Sequence, residues 1–79
     1  MTDISWQTNS FTGEHYALVG NRRYRREAHY NRHQTTGALR RHGWMLSVQE
    51  NGQRHQVRWA PTVWRIETYA REYEEANPQ

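Results

Sequence analysis

The stretch Gly43-Trp-Met-Leu-Ser-Val-Gln-Glu-Asn-Gly-Gln-Arg-His-Gln-Val-Arg-Trp59 decides the fold of this chain. Two runs of alternating apolar and polar residues flank Asn51-Gly52. This dipeptide is a strong hairpin signal because a type I′ turn needs positive φ at both central residues. A two-residue loop also fixes the register of the two strands. It predicts four pairs across the hairpin: Glu50 with Gln53, Val48 with His55, Leu46 with Val57, and Trp44 with Trp59.

The same register divides the side chains of this hairpin, residues 43–59, between two faces. The predicted core face is mostly apolar and carries Trp44, Leu46, Val48, His55, Val57 and Trp59. The predicted solvated face carries Met45, Ser47, Gln49, Arg54, Gln56 and Arg58. A slip of one residue would mix the two sets, so the clean separation favours this register.

The segment after the hairpin, residues 62–76, has the pattern of an amphipathic helix. Its apolar residues recur at spacings of three and four and form one stripe: Val63, Ile66, Ala70 and Tyr73. Either Pro61 occupies the first helical position or Thr62 is the N-cap, and the sequence leaves both open. Asn77-Pro78 ends the helix. Glu74 and Glu75 lie in its last turn, where the helix dipole disfavours anions, and the sequence offers no reason for that placement.

The segment before the hairpin predicts a second hairpin over residues 14–30. Residues 14–19 alternate as a strand does, and Gly20-Asn21 is a turn signal. Residues 22–30 alternate again. A helix over residues 22–33 is the alternative, since Tyr24 and Ala28 are also spaced i,i+4, but the aromatic residues and the turn favour a strand.

Two further segments lack a regular pattern. Residues 31–43 contain Thr35, Thr36 and Gly37 and are predicted to be a loop that carries Arg40 and Arg41. Residues 1–13 are predicted to be an irregular or short edge segment, anchored by Trp6 and Phe11. The predicted architecture is therefore α+β. A small antiparallel sheet of three or four strands packs on one C-terminal amphipathic helix, in a single domain over residues 1–79.

Composition limits what this domain can be. Only 34% of its 79 residues are hydrophobic, but four Trp and five Tyr can build a core because each buries a large area. The absence of Cys excludes disulfides, Cys-based zinc sites and thiol catalysis, and favours the cytoplasm. No apolar run is long enough for a membrane span, and the N-terminus lacks the layout of a signal peptide. We expect no membrane association.

The positive charge is concentrated in the middle of the chain. Residues 22–65 contain ten Arg against Glu27 and Glu50, whereas the segments on either side are acidic. All eleven basic residues are Arg, which reflects either a GC-rich genome or the fit of the guanidinium group to phosphate and guanine. The sequence does not separate these two explanations.

The predicted binding surface is the solvated face of the hairpin over residues 43–59. Arg54 and Arg58 alternate there with Gln49 and Gln56, and Arg23 and Arg25 join them if the preceding strand lies in the same sheet. Such side chains contact phosphates and base edges, and a β-sheet can enter the major groove. Further Arg candidates for nucleic-acid contact are Arg22, Arg40 and Arg41. We therefore predict a small DNA-binding accessory or regulatory protein, with DNA favoured over RNA.

Residues 38–76 also resemble the AP2-like and arm-binding domains of phage integrases. The resemblance consists of a Gly43-Trp44 strand, the Asn51-Gly52 turn, a Val57-Arg-Trp59 strand and a helix that begins at Thr62. It implies a three-stranded sheet whose face enters the DNA major groove, and an origin in a phage or other mobile element. The Glu-Ala pair usual early in that helix is replaced here by Ile66-Glu67-Thr68.

Other functions remain open at this level. The excess of Trp, Tyr and Arg is typical of interface hot spots, which favours a protein partner or a homodimer as the rival. A small ribonuclease could use the five His for acid–base chemistry, but no specific spacing supports an enzyme. His29 and His33 are spaced i,i+4, yet no nearby acid completes a metal site. We expect no cofactor, metal or small-molecule substrate.

Overall fold

A computed structural model describes residues 3–79, in which one antiparallel sheet packs against one helix. The elements are β1 (Gln7–Thr8), β2 (His15–Val19), β3 (Arg22–Arg32), β4 (Leu39–Glu50), β5 (Gln53–Ala60) and α1 (Val63–Ala76). Neighbouring strands pair in chain order from β1 to β5. The α+β class with a C-terminal helix is thus confirmed. The sheet has five strands instead of three or four, because the short edge segment predicted within residues 1–13 itself pairs with β2. Residues 1–2 of that segment lie outside the described residues.

Residues 22–32 form a strand, as the aromatic pattern favoured. Tyr24 lies opposite Ala17 of β2 on one side and Val48 of β4 on the other, so β3 is a central strand. The helical alternative for this segment is wrong.

The predicted loop over residues 31–43 is wrong for most of its length. β3 continues to Arg32, β4 begins at Leu39, and only residues 33–38 connect them. The strands continue because their backbones pair with each other. Both faces are solvated here, so the sequence lacks the apolar alternation that marks a half-buried strand.

The register of β4 and β5 is as predicted near the Asn51-Gly52 turn and changes further along. Glu50 pairs with Gln53 and Val48 with His55, but Leu46 then pairs with Arg58 and Trp44 with Ala60. A β-bulge at Val57 inserts one extra residue, and a bulge shifts every later pair by one. The predicted pairs of Leu46 with Val57 and of Trp44 with Trp59 are therefore wrong.

The bulge moves two side chains to the opposite face from the one predicted. Arg58 lies on the helix side, with its guanidinium carbon 4.1 Å from the ring centroid of Tyr69 in α1. Trp59 lies on the other side, opposite Met45, and its Nε1 donates a hydrogen bond to the carbonyl oxygen of His42 at 2.7 Å. Arg54 and Arg58 therefore do not share one surface.

The core lies between the sheet and α1. Thr62 is the N-cap, and its hydroxyl accepts a hydrogen bond from the backbone N–H of Arg65. Ile66 and Ala70 of the predicted stripe are buried against a cluster that consists of Ala17, Tyr24, Leu46, Val48 and Ala60. Trp6 packs on this cluster, whereas Phe11 is 98% exposed and anchors nothing. No helix in the described part of the chain is long and apolar enough to cross a membrane.

β3 and β4 extend well beyond their neighbours in the sheet. β2 pairs only with Arg22–Arg26 and β5 only with Trp44–Glu50, so residues 28–43 form a two-stranded ribbon. We call residues 28–43 the arm and the remaining described residues the body. The arm helps to make the molecule long and narrow, with extents of 46, 27 and 22 Å.

The arm leaves the body at an irregular pair of strands. The register shifts between Ala28 and Tyr30 of β3, and the extra residue lies on β4. Gly43, at this point, has a φ of 73°. A Cβ there would lie 2.5 Å from the carbonyl oxygen of Ala60 and 2.6 Å from the ring of Trp59. Only glycine fits this junction without a shift of its neighbours.

Candidate nucleic-acid interface

The arm carries positive charge that no acidic residue balances. Residues 28–43 contain three Arg and three His and no Asp or Glu. Among the described residues, no carboxylate lies within 4.0 Å of Arg32, Arg40 or Arg41. A protruding ribbon with uncompensated cations is well placed to meet a polyanion.

Strand alternation divides the arm into two faces. Tyr30 lies opposite Arg41 and Arg32 lies opposite Leu39, and these four residues share one face, which we call the Leu39 face. Asn31 lies opposite Arg40 on the other face. Tyr30 is 55% exposed and Leu39 is 61% exposed. The Leu39 face therefore combines two exposed nonpolar surfaces with two guanidinium groups.

The tip of the arm is held by hydrogen bonds. Nδ1 of His33 accepts from the backbone N–H groups of Thr35 and Thr36, both at 3.2 Å. The guanidinium of Arg32 donates to the carbonyl oxygen of Gly37 at 2.9 Å. These bonds close residues 33–38 into a short turn and fix the end of the ribbon.

The sheet face opposite α1, which we call the open face, holds most of the surface predicted from sequence. Register places Arg23 beside Gln49 and Arg54, and Arg25 beside Ser47 and Gln56. Five of the predicted residues are thus together: Arg23, Arg25, Gln49, Arg54 and Gln56. Ser47, predicted to be solvated, is fully buried there.

The arginines of the open face are paired with carboxylates. Glu14 lies 3.0 Å from Arg23 and 2.7 Å from Arg25, and Glu27 lies 3.4 Å from Arg25 and 3.0 Å from Arg54. The guanidinium of Arg23 also lies over the ring of Tyr16, 4.3 Å from its centroid. Three Arg against two Glu leave a small net charge, and a phosphate that approaches this face must compete with the carboxylates.

Arg22, another predicted contact, is buried in an ion network beneath α1. It bonds to Glu50, to Glu74 and to the carbonyl oxygen of Asn77, while the hydroxyl of Tyr24 donates to Glu74 at 2.7 Å. Hydrogen bonds to Glu74 and Glu50 outweigh burial and raise the pKa of Arg22. Burial, followed by the bond to Glu74, raises the pKa of Tyr24. This network holds the helix to the sheet and explains why Glu74 lies in the last turn.

The five histidines are distributed over different parts of the molecule. His15 shares a hydrogen bond with Thr8, and His55 shares one with the hydroxyl of Tyr73. The rings of His29 and His42 lie 6.2 Å apart near the root of the arm, and His42 stacks on Trp59. Within residues 3–79, no group of three or more His, Asp or Glu side chains could hold a metal ion.

The two ends of the molecule differ in charge. The arm and the N-terminus of α1 lie at one end, and the first turn of α1 contains no acidic residue. The C-terminus of α1 lies at the other end, where Gln79 bonds to Asn21 and Val19. Glu72, Glu74 and Glu75 belong to that end. The arm end therefore carries the positive charge, and acidic side chains gather at the other end.

The sequence pattern does not mark Tyr30, Arg32 and Leu39 as candidate contacts. It predicts Arg40 and Arg41 as contacts, but in a loop. The available signal was the absence of any acidic residue from residue 28 to residue 43, which distinguishes this part from the rest of the basic segment.

Comparisons of the chain with family models, with curated proteins and with solved structures find no match. The resemblance of residues 38–76 to AP2-like and integrase arm-binding domains therefore stays a prediction.

Proposed function

We propose that this protein is a small accessory or regulatory protein that binds double-stranded DNA through its arm. The observation that carries the proposal is the group of three arginines, Arg32, Arg40 and Arg41, which have no carboxylate within 4.0 Å among residues 3–79. Guanidinium groups without a carboxylate partner release counterions when they meet phosphates, which is the main source of sequence-independent affinity. The Cys-free composition fits a reducing compartment, so we place this activity in the cytoplasm.

The shape of the arm favours a duplex over a single strand. A two-stranded β-ribbon can enter a DNA groove, where both of its faces are in contact with the nucleic acid. The arm has cations on both faces: Arg32 and Arg41 on the Leu39 face, and Arg40 on the other. The open face of the body supplies a second, weaker contact surface through Arg23, Arg25 and Arg54.

The experiment is a salt titration of binding to a fluorescently labelled 30-base-pair duplex, followed by anisotropy. The arm variant replaces Arg32, Arg40 and Arg41 with Gln. A matched control replaces Arg58, Arg65 and Arg71, which also lack a carboxylate within 4.0 Å among the described residues but lie outside the arm. Both variants lose the same formal charge.

We expect the arm variant to reduce the slope of log affinity against log salt by about 3, since each lost phosphate contact removes about 0.9. The control variant should change the slope by less than about 1. Absence of duplex binding by the wild-type protein at low salt, or equal effects of the two variants, would contradict the proposal.

A protein partner is the second candidate function. Trp64 is 67% exposed on α1, and an exposed Trp is a common anchor of protein interfaces. A pull-down from host lysate with and without nuclease separates the two functions. A partner retained after nuclease treatment, together with a blue shift of Trp emission that DNA does not produce, would favour this candidate.

A further inference from the structure

We propose that the arm kinks the DNA that it binds by inserting Leu39, supported by Tyr30, between neighbouring base pairs from the minor groove. This inference rests on the proposed function, because it requires that the arm enters a duplex. It adds an activity, the deformation of DNA, that binding alone does not require.

Leu39 and Tyr30 expose most of their surface to water. Leu39 has 61% of its surface in contact with water although it lies in a regular strand, and Tyr30 on the same face is similarly exposed. The two are diagonal neighbours across the ribbon, since Leu39 lies opposite Arg32 and Tyr30 lies opposite Arg41. Diagonal side chains on one face of an antiparallel pair lie roughly 7–8 Å apart. They therefore form one nonpolar edge instead of two isolated contacts.

An arginine lies beside each of these two nonpolar side chains. Each of the two nonpolar side chains has an arginine as its direct partner across the ribbon. A nonpolar edge between two cations matches the minor groove, where stacked bases lie between two rows of phosphates. Proteins that kink DNA insert Leu, Phe, Ile, Met or Pro between base steps from this groove, with Arg and Lys beside the wedge. The Leu39 face has this composition.

Leu39 lies close to the tip of the arm, and hydrogen bonds hold that tip in place. Leu39 belongs to the last strand pair before the turn, so it lies near the end of the arm. The turn itself is held by the bonds of His33 and Arg32 to the backbone of residues 35–37. A wedge must hold its shape while it separates two base pairs, and an ordered tip reduces the entropy lost on binding.

The experiment measures bending and binding on the same duplex. A 30-base-pair DNA carries a donor and an acceptor dye at its two ends, so that a kink raises the transfer efficiency, while anisotropy reports binding. We expect the wild-type protein to raise the transfer efficiency. Leu39→Ala should lose at least half of this increase when it is compared at concentrations at which anisotropy shows the duplex to be saturated with protein.

A matched control is Leu18→Ala. Leu18 is exposed to almost the same extent as Leu39, at 59%, but lies on the open face of the body, so this variant should bend DNA as the wild type does. Netropsin, which occupies the minor groove, should displace the protein at concentrations at which the major-groove ligand methyl green does not. Thermal unfolding of each variant checks that the fold is retained.

The outcomes distinguish the two proposals. If the wild-type protein fails to bind the duplex, the proposed function is wrong and the inference is overturned with it. If the protein binds but transfer does not rise, or if Leu39→Ala bends DNA as the wild type does, only the wedge is wrong. Binding of the arm to vesicles of anionic lipid with no bending of DNA would also overturn the inference.

Discussion

Strand β3 carries arginines of both the body and the arm, yet their surroundings are opposite. Arg23 and Arg25 of β3 lie within 3.0 Å of Glu14, whereas Arg32, further along the same strand, has no carboxylate within 4.0 Å in the described structure. The difference arises from the neighbouring strands. β2 flanks β3 at Arg22–Arg26 and brings Glu14 close to Arg23 and Arg25. β2 does not reach the arm, and no carboxylate of residues 3–79 lies within 4.0 Å of Arg32 there.

This difference teaches that the number of arginines in a segment does not fix its affinity for phosphate. An arginine that already contacts a carboxylate gains less from a phosphate, because one partner replaces another. An arginine without such a partner has no carboxylate to give up. Body and arm should therefore respond differently to mutation, with the largest effect at their junction and the smallest at Arg58.

The largest effect is expected at Gly43, the junction between the body and the arm. Gly43→Ala forces a left-handed φ on a residue with a side chain and brings its Cβ within 2.6 Å of Trp59. Backbone strain and overpacking together should lower the free energy of unfolding by about 2–5 kcal/mol. Urea unfolding measures this loss.

Gly37→Ala is the matched control for the junction. Gly37 has almost the same φ, 72°, but nothing lies within 4 Å of the position of its Cβ. This variant carries only the backbone strain and should cost about 1–2 kcal/mol. Equal losses for the two variants would show that the contacts of Gly43 with the body have no role.

The sequence predicts the body better than it predicts the arm, for a physical reason. The Asn51-Gly52 turn and the stripe that includes Ile66 and Ala70 are local signals, and both correspond to observed elements. Residues 31–43 bury neither face, so no apolar alternation marks them as strands. These residues pair through backbone hydrogen bonds, which leave no periodic pattern in the sequence.

The candidate site was only partly predictable for a related reason. The excess of Arg over residues 22–65 located the basic region, but Glu14, which neutralises Arg23 and Arg25, lies outside that segment and is brought in by the pairing of β2 with β3. A contact between distant parts of the chain decides this feature, and no local pattern encodes it. The bulge at Val57 likewise has no local signal, since the alternation of residues 53–59 fits an unbulged strand.

The second prediction concerns the buried network of the body. Glu74→Gln removes the charge that pairs with Arg22, and it should lower the free energy of unfolding by about 2–3 kcal/mol at pH 7. Burial alone would raise the pKa of Glu74, but hydrogen bonds from Tyr24, Arg22 and Gln79 outweigh it and lower this pKa. A carboxylate with a lowered pKa stabilises the fold above its ordinary value of 4.5, and this stabilisation is lost as the pH falls through the folded-state value.

The measurement is therefore urea unfolding between pH 7 and pH 2. The wild-type protein should lose stability in the acid range more steeply than Glu74→Gln does. Glu75→Gln, an exposed neighbour in the same turn, should change stability by less than about 0.5 kcal/mol. An acid dependence that persists in Glu74→Gln would assign the loss to other carboxylates.

The third prediction concerns a variant in which an arginine of the body loses its carboxylate partner, as in the arm. Glu27→Gln removes the carboxylate that lies near both Arg25 and Arg54 on the open face. Arg25 stays paired with Glu14, so the freed guanidinium group is that of Arg54. Its release should raise the affinity for a duplex at low salt by about threefold, which corresponds to roughly 0.7 kcal/mol. Glu72→Gln on α1 makes the same change in net charge at the acidic end. If both variants raise the affinity equally, overall charge rather than local pairing controls binding.

The smallest effect is expected at Arg58, whose position depends on the bulge. Its guanidinium covers the ring of Tyr69, so Arg58→Gln should lower the free energy of unfolding by about 0.5 kcal/mol and leave the affinity for DNA unchanged. The unbulged register would place Arg58 beside Arg54, and its loss would then weaken binding as well. A double-mutant cycle with Tyr69→Ala measures the contact directly. A coupling energy near zero, together with weaker DNA binding by Arg58→Gln, would indicate that Arg58 lies on the open face and that β5 has no bulge.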